Sequence, residues 1–257
     1  MFRTVLILIP FLMCSLGISQ DKITITYIGN MGVHLAGKDI SVLIDGLHTK
    51  YGEDYLYPNA ELIKKIHTHY TPNAILFTHH HGDHFSPVLA SNYLKSNSKA
   101  MVFGAQQITD SLKTFKDQSF TIKTSDYIKQ TINVGALKIT GMKVDHAGKR
   151  HRSIQNVGYI VELDHQKILH LGDTSWLEEI KLFNQLQLVQ ERIDIAILPY
   201  WMLLEEDAST LLKKHINPKY TIATHISPRI KEKELSSLKE KYPNIYFLTH
   251  LEQQIHL

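Results

Sequence analysis

A chain of 257 residues holds one large domain or two small ones, and 43% hydrophobic with 21% charged residues is an ordinary globular composition. The formal net charge is only +3 with no long basic run, which argues against a nucleic-acid partner. The single cysteine, Cys14, excludes a disulfide framework and leaves any metal site to His, Asp and Glu.

Residues 1–19 read as a targeting segment. Arg3 is the lone early charge, residues 5–13 form an apolar core of signal-peptide length, and Gly17-Ile18-Ser19 offers small residues where a signal peptidase reads them. Cleavage after Ser19 is the expectation. It removes Cys14 and leaves one domain over residues 20–257, exported to the periplasm or secreted, with no stable membrane insertion. An uncleaved anchor is the alternative, although the stretch is short for a membrane span.

From Lys22 the chain alternates as a strand over 22–28, with Ile23, Ile25 and Tyr27 on one face. Residues 29–32 read as a turn, and 40–44 as a second strand ending at Asp45-Gly46. A tyrosine-rich loop covers 51–58. Asn59 then caps a helix whose Leu62, Ile63 and Ile66 recur at helical spacing. Residues 74–77 form a strand, and Ser86 with Pro87 at the first helical position opens a helix to about Asn97. A short strand over 101–103 precedes a helix over 106–113. Strands follow over 128–132, 137–144, 157–163 and 166–171, the last two joined by a tight Asp164-His165 turn. The remainder reads as a helix over 176–192, a buried strand over 193–198, a helix over 207–215, a strand over 220–224, an amphipathic helix over 231–242 and a closing strand over 245–249. No linker divides the chain, so this order predicts two sheets covered by helices in one layered α/β domain.

The densest chemistry lies just past strand 74–77. Residues 78–84 read Thr-His-His-His-Gly-Asp-His, which puts His79, His81, Asp83 and His84 in the kind of loop that carries active sites. Three further apolar runs end in the same way: 139–144 in Asp145-His146, 168–171 in Gly172-Asp173, and 222–224 in His225. A lone strand-end His or Asp is more often a cap or a hydrogen-bonding residue. Together these residues supply five His and two Asp, enough for two metal ions with three or four protein ligands each. Zinc is the expected metal, and manganese or iron would accept the same donors.

The run His79-His80-His81-Gly82-Asp83-His84 resembles the His-x-His-x-Asp-His motif of the metallo-β-lactamase superfamily, and His146, Gly172-Asp173 and His225 match its later elements in order. The resemblance covers nearly the whole chain after the leader. It implies a four-layer αββα sandwich of two mixed sheets, with the site at the edge between them. It further implies that His79, His81 and His146 hold one metal, that Asp83, His84 and His225 hold the other, and that Asp173 bridges them. The segments Ile25-Thr26-Tyr27-Ile28-Gly29, Val42-Leu43-Ile44-Asp45, Val157-Gly158-Tyr159 and His170-Leu171-Gly172-Asp173-Thr174 are similar to one branch of that superfamily. It includes the ascorbate-6-phosphate lactonases and the acyl-ethanolamine-releasing phospholipases D. Asn30 stands where that branch often has His, and Gly46 where Pro commonly follows the Asp. The chain after the leader lacks the Cys ligand of the commonest true lactamases, and His81 stands where oxygen-reducing di-iron members carry Glu.

The implied chemistry is hydrolysis by a hydroxide shared between two divalent metals, with Asp83 and Asp173 orienting the nucleophile as well as ligating. An ester or lactone is the expected substrate. Phosphodiester cleavage and a non-catalytic metal-binding role are the alternatives. Lys149, Arg150, His151 and Arg152 follow His146 in a glycine-containing loop, a candidate grip for a small anionic substrate or simply a solvated loop. Tyr200 and Trp201 follow a strand end and are candidate pocket walls, with ordinary packing the alternative. Asp45 is expected to hydrogen-bond the ligand loop and fix a ring. His80 is expected to point away from the ligands, and His170 to be structural.

Overall fold

The computed structural model describes residues 22–257; the leader and its expected cleavage point lie outside them. Among the described residues no helix is long and apolar enough to cross a membrane. The chain first lays down β1 (Thr24–Gly29), β2 (Gly32–Ala36), β3 (Ser41–Ile44), β4 (Ala74–Leu76), β5 (Met101–Gly104) and β6 (Ser119–Thr121). It then builds β7 (Gln130–Val134), β8 (Leu137–Lys143), β9 (Val157–Leu163), β10 (Gln166–His170), β11 (Ile195–Pro199), β12 (Tyr220–Thr224) and β13 (Ile245–Phe247), and ends in β14 (Gln254–His256). Two seven-stranded sheets result, in the orders β14-β1-β2-β3-β4-β5-β6 and β13-β12-β11-β10-β9-β8-β7. Each sheet is mixed: β3 to β6 and β10 to β13 run parallel, and the remaining pairs are antiparallel.

Strand alternation decides the layers. In β3 and β4, Val42, Ile44, Ala74 and Leu76 point into the core between the sheets, where they meet Ile139, Val157, Tyr159, Ile195 and Ile222 from the second sheet. The intervening Leu43 and Ile75 face outward onto Leu62 of α1 (Ala60–Lys65) and onto Ala90, Tyr93 and Leu94 of α2 (Pro87–Ser96). The second sheet repeats the plan. Leu169, Ala196 and Leu198 face outward onto Trp176, Phe183 and Leu186 of α4 (Trp176–Leu186), which follows the single turn of α3 (Gln106–Thr109) in the chain. α5 (Ala208–His215) packs beside α4, and α6 (Glu232–Lys241) covers a smaller cluster around Leu203, Ala223 and Phe247. Helix, sheet, sheet, helix: this is the αββα sandwich. Both faces of the parallel strands are covered, so those strands read as unbroken apolar runs.

Local signals hold at several boundaries. The Asn59 side chain accepts from the Leu62 N–H, and Ser86 accepts from Leu89 ahead of Pro87. Asp164 and His165 both take positive φ, +45° and +65°, as a two-residue hairpin turn between twisted strands requires. Other boundaries differ from the sequence reading. The turn at Gly29 and Asn30 is followed at once by β2, a strand whose Gly and His disguised it. The predicted helix over 176–192 ends at Leu186, because Gln187 adopts φ +47° and the chain continues as a 3-10 turn over Leu188–Glu191. β14 lies beyond the predicted closing strand. It is three residues long, with only Ile255 buried, too short for a periodic signal.

A candidate metal centre at the strand ends

The ligand loop is built on one buried carboxylate. Asp45 closes β3 with φ +47° and is wholly buried. Its Oδ1 accepts the backbone N–H of Thr78 at 2.8 Å, and its Oδ2 accepts the Thr78 hydroxyl at 2.6 Å and His84 Nδ1 at 2.9 Å. A carboxylate only accepts, so His84 carries its proton on Nδ1 and turns Nε2 inward. Thr78 gives its own proton to Asp45, so its oxygen accepts from His79 Nδ1 at 3.1 Å. His79 Nε2 is thereby left as a lone-pair donor. His146 is set in the same way, with Nδ1 donating to the Ala147 carbonyl at 2.8 Å. One aspartate and one threonine thus fix two imidazole rings from behind.

The inward-facing atoms fall into two groups: His79, His81 and His146, and Asp83, His84, Asp173 and His225. Within each group, ligand atoms lie within 4.8 Å of one another. Asp173 Oδ2 lies 3.4 Å from His84 Nε2, 3.4 Å from His225 Nε2 and 3.7 Å from His146 Nε2, between the two groups. Asp83 Oδ2 lies 3.5 Å from His84 Nε2 and 3.6 Å from His225 Nε2. His79 Nε2 and His81 Nδ1 approach to 3.0 Å. Several of these atoms are buried with no hydrogen-bond partner: Asp83 Oδ1, Asp173 Oδ1, His146 Nε2 and His225 Nε2. Leaving such groups unpaired is costly, and a divalent cation in each group would satisfy them. The donor set fits metal.

The groups differ in charge. Burial holds His79 well below the usual imidazole range, with His84 adding to it, and burial with the neighbouring His146 brings His81 down to about 4. Burial lowers His146 as well. In the second group burial opposes charge, but the carboxylates prevail: Asp173 and Asp45 hold His84 well above the usual range, and Asp173 raises His225 to about 9. Burial would raise Asp173, yet His84 and His225 hold it well below the carboxylate range.

Other residues enter through loops. Asn30, wholly buried at φ +52°, donates to Asp83 Oδ2 at 3.0 Å, and its carbonyl accepts the His225 N–H at 2.8 Å. It was visible in the sequence only as a departure from the resembling branch; Asn tolerates this backbone, and its amide reaches the ligand. His151 sets its ring 4.5 Å from that of His146 and 5.1 Å from that of His81, while Lys149, Arg150 and Arg152 are exposed around it. Tyr200 and Trp201, the two candidate pocket walls, take different neighbours. Tyr200 packs on the α6 cluster, and Trp201 takes the place beside His225, with ring centroids 4.7 Å apart and Nε1 donating to the Thr174 carbonyl. The 3-10 turn after β11 carries both residues, whose rings meet edge-on at 6.1 Å. Tyr55 completes that side, 5.6 Å from His225. His170 Nε2 donates to the Met31 carbonyl at 3.0 Å and serves to hold the sheets together, and Asp145 accepts from the Tyr127 hydroxyl.

Known proteins are similar to this chain. The family model described as the beta-lactamase superfamily domain matches residues 24–225. A UPF0173 metal-dependent hydrolase of Staphylococcus saprophyticus is 23% identical over 211 residues, covering 78% of this chain and 84% of that one. Another from Thermococcus kodakarensis is 31% identical over 132 residues, 49% of this chain and 53% of the other. Among solved structures, Igni18, a metallo hydrolase from Ignicoccus hospitalis, has the same fold, with TM-score 0.61 and 17% identity over 92% of this chain and 98% of its own. The chain therefore belongs to the metallo-β-lactamase superfamily, as a metal-dependent hydrolase.

Proposed function

We propose that the protein hydrolyses an ester or lactone of a small anionic molecule, using two divalent metal ions, zinc by preference, and that it works outside the cytoplasm after loss of residues 1–19. The observation that carries this reading is the position of Asp173, whose Oδ2 lies within 3.4–3.7 Å of ligand nitrogens from both groups. His79, His81 and His146 would hold one ion, and Asp83, His84 and His225 the other, with Asp173 between them. When bound, divalent ions supply Lewis acidity: they polarise the scissile oxygen and bring the pKa of water toward ~7.

The chain's own residues do the rest. Asp45, Thr78 and Asn30 hold the rings and the Asp83 carboxylate in place before substrate arrives, so little reorganisation accompanies the reaction. Asp83 and Asp173, besides ligating, would orient the attacking water through whichever carboxylate oxygens the ions leave free. The water oxygen adds to the carbonyl carbon, the bond to the alcohol oxygen breaks, and the two protons of water end on the acid and the alcohol. Tyr55 and Trp201 limit solvent on the His225 side.

The test pairs metal analysis with a panel of aryl esters, lactones, bis-aryl phosphodiesters and a chromogenic β-lactam. Two metals per chain with ester or lactone turnover is the expected result. Metal binding with turnover of phosphodiesters alone, or of nothing, overturns the reading. Mass analysis of the exported protein tests the start at residue 20.

A further inference from the structure

Two surfaces of unlike chemistry flank the metal centre. On the His225 side stand Tyr55 and Trp201, and Tyr51 meets Tyr55 edge-on at 5.3 Å. The loop bearing the tyrosines is fastened in place. Tyr51 lies against Gly82, where any Cβ would come within 2.9 Å of its ring, and a Cβ on Gly29 would come within 2.8 Å of the Leu56 carbonyl oxygen. Asp54, between the two tyrosines, accepts from the Ser227 hydroxyl at 3.2 Å and pairs with Arg229 at 3.7 Å, just past His225. A glycine inside the ligand motif and an ion pair beside a ligand therefore both hold one aromatic loop over the second group.

The His146 side is the opposite. His151 stands over the rings of His81 and His146, and Arg150 Nε donates to His151 Nε2 at 2.8 Å. That bond occupies the acceptor nitrogen and leaves Nδ1 as an N–H donor. Among the described residues, Arg150 has no carboxylate partner, and neither do Lys149 and Arg152 beside it. A guanidinium without an acid of its own, next to an imidazole donor, is a receptor for carboxylate or phosphate. Aromatic rings standing together beside the centre receive a flat apolar group.

Building on the hydrolase reading above, we propose that the substrate is two-ended: a flat apolar group held by Tyr55 and Trp201 on the His225 side, an anionic group held by Arg150 and His151 on the His146 side, and the scissile bond between them. Either surface alone is common on proteins. Their opposition across one centre identifies an aryl or similarly flat ester or lactone that also carries an acid.

Calorimetric titration of zinc-loaded protein with phenylphosphonate and methylphosphonate tests this, with zinc content measured in every variant. Phenylphosphonate is expected to bind about tenfold tighter, the worth of one ring face removed from water. Tyr55→Ala should bring that ratio toward one without weakening methylphosphonate, while Tyr55→Phe keeps it. Arg150→Gln should weaken both ligands by a similar factor and leave the ratio intact. Equal binding by the unmodified protein, a ratio that survives Tyr55→Ala, indifference to Arg150→Gln, or no binding of either phosphonate overturns the proposal. The titration needs no turnover, so its outcome is separable from the function above. Ester hydrolysis without phosphonate preference sinks only the two-ended substrate, and preference without any hydrolysis sinks only the ester or lactone reading.

Discussion

The two ligand groups lie side by side yet are made differently. The first is three imidazoles, partly exposed at His81, and neutral because burial disfavours their charge. The second is two carboxylates and two imidazoles, buried, with protons held on His84 and His225 by the acids around them. The lesson concerns what a metal must displace. In the first group it meets lone pairs; in the second it must expel protons that the neighbouring carboxylates hold on the rings.

The sharpest way to break this contrast is to remove the residue the groups share. Asp173→Ala should empty both positions and reduce turnover to background, whereas His81→Ala should leave a metal in the second group; elemental analysis of the purified variants reads both. Equal loss in the two variants would dissolve the distinction. In the metal-free protein, Asp173→Ala also takes one carboxylate from His84, which keeps Asp45 and Asp83, and from His225, which keeps only Asp83.

Proton release is the next largest effect. Filling the second group at pH 7.5 should expel protons from His84 and His225, and filling the first should expel almost none, as measured by calorimetry in buffers of unlike ionisation enthalpy. The same shift sets a stability profile for the metal-free protein. His225 is raised to about 9 from a usual 6.5, so its contribution is complete below 6.5 and is lost as pH climbs through 9. Thermal melts of the metal-free protein should fall across that window, and those of the zinc form should not.

Asp45→Asn replaces the acceptor behind His84 and should cost roughly 10–100-fold in metal affinity, chiefly at the second group. Asn30→Ala removes the donor to Asp83 at a positive-φ site, and leaving that carboxylate oxygen short of a partner should cost about 1–3 kcal/mol. Far from both groups, Asn59→Ala removes only the cap of α1, about 1 kcal/mol, and should leave metal content untouched. A metal loss there would mean that stability, not ligand support, drives the other variants.

Legibility in the sequence follows the same physics. All seven residues of the two candidate groups could be picked out because strands covered on both faces are apolar to their last residue, so a polar side chain stands out where the strand stops. The layering was readable from the same runs, supported by caps at Asn59 and Ser86. What escaped depends on contacts between distant loops. Nothing near Tyr55 in the chain announces that Asp54 will tie it to Ser227, and nothing distinguishes Tyr200 from Trp201 until the fold sets one on the α6 cluster and the other beside His225. β2 and β14 were missed because pairing with β1, not their own pattern, makes them strands.

That last pairing has a consequence for the order in which the protein is made. Thr24 and His256 touch across 232 residues, and the N–H of Ile23 donates to the Leu257 carbonyl. β1 has β2 beside it across the turn that carries Asn30, which steadies Asp83 and His225, but it gains its other neighbour only when β14 is made. The second group also draws on Asp173 and His225, so it is complete only when residues far apart in the chain have come together.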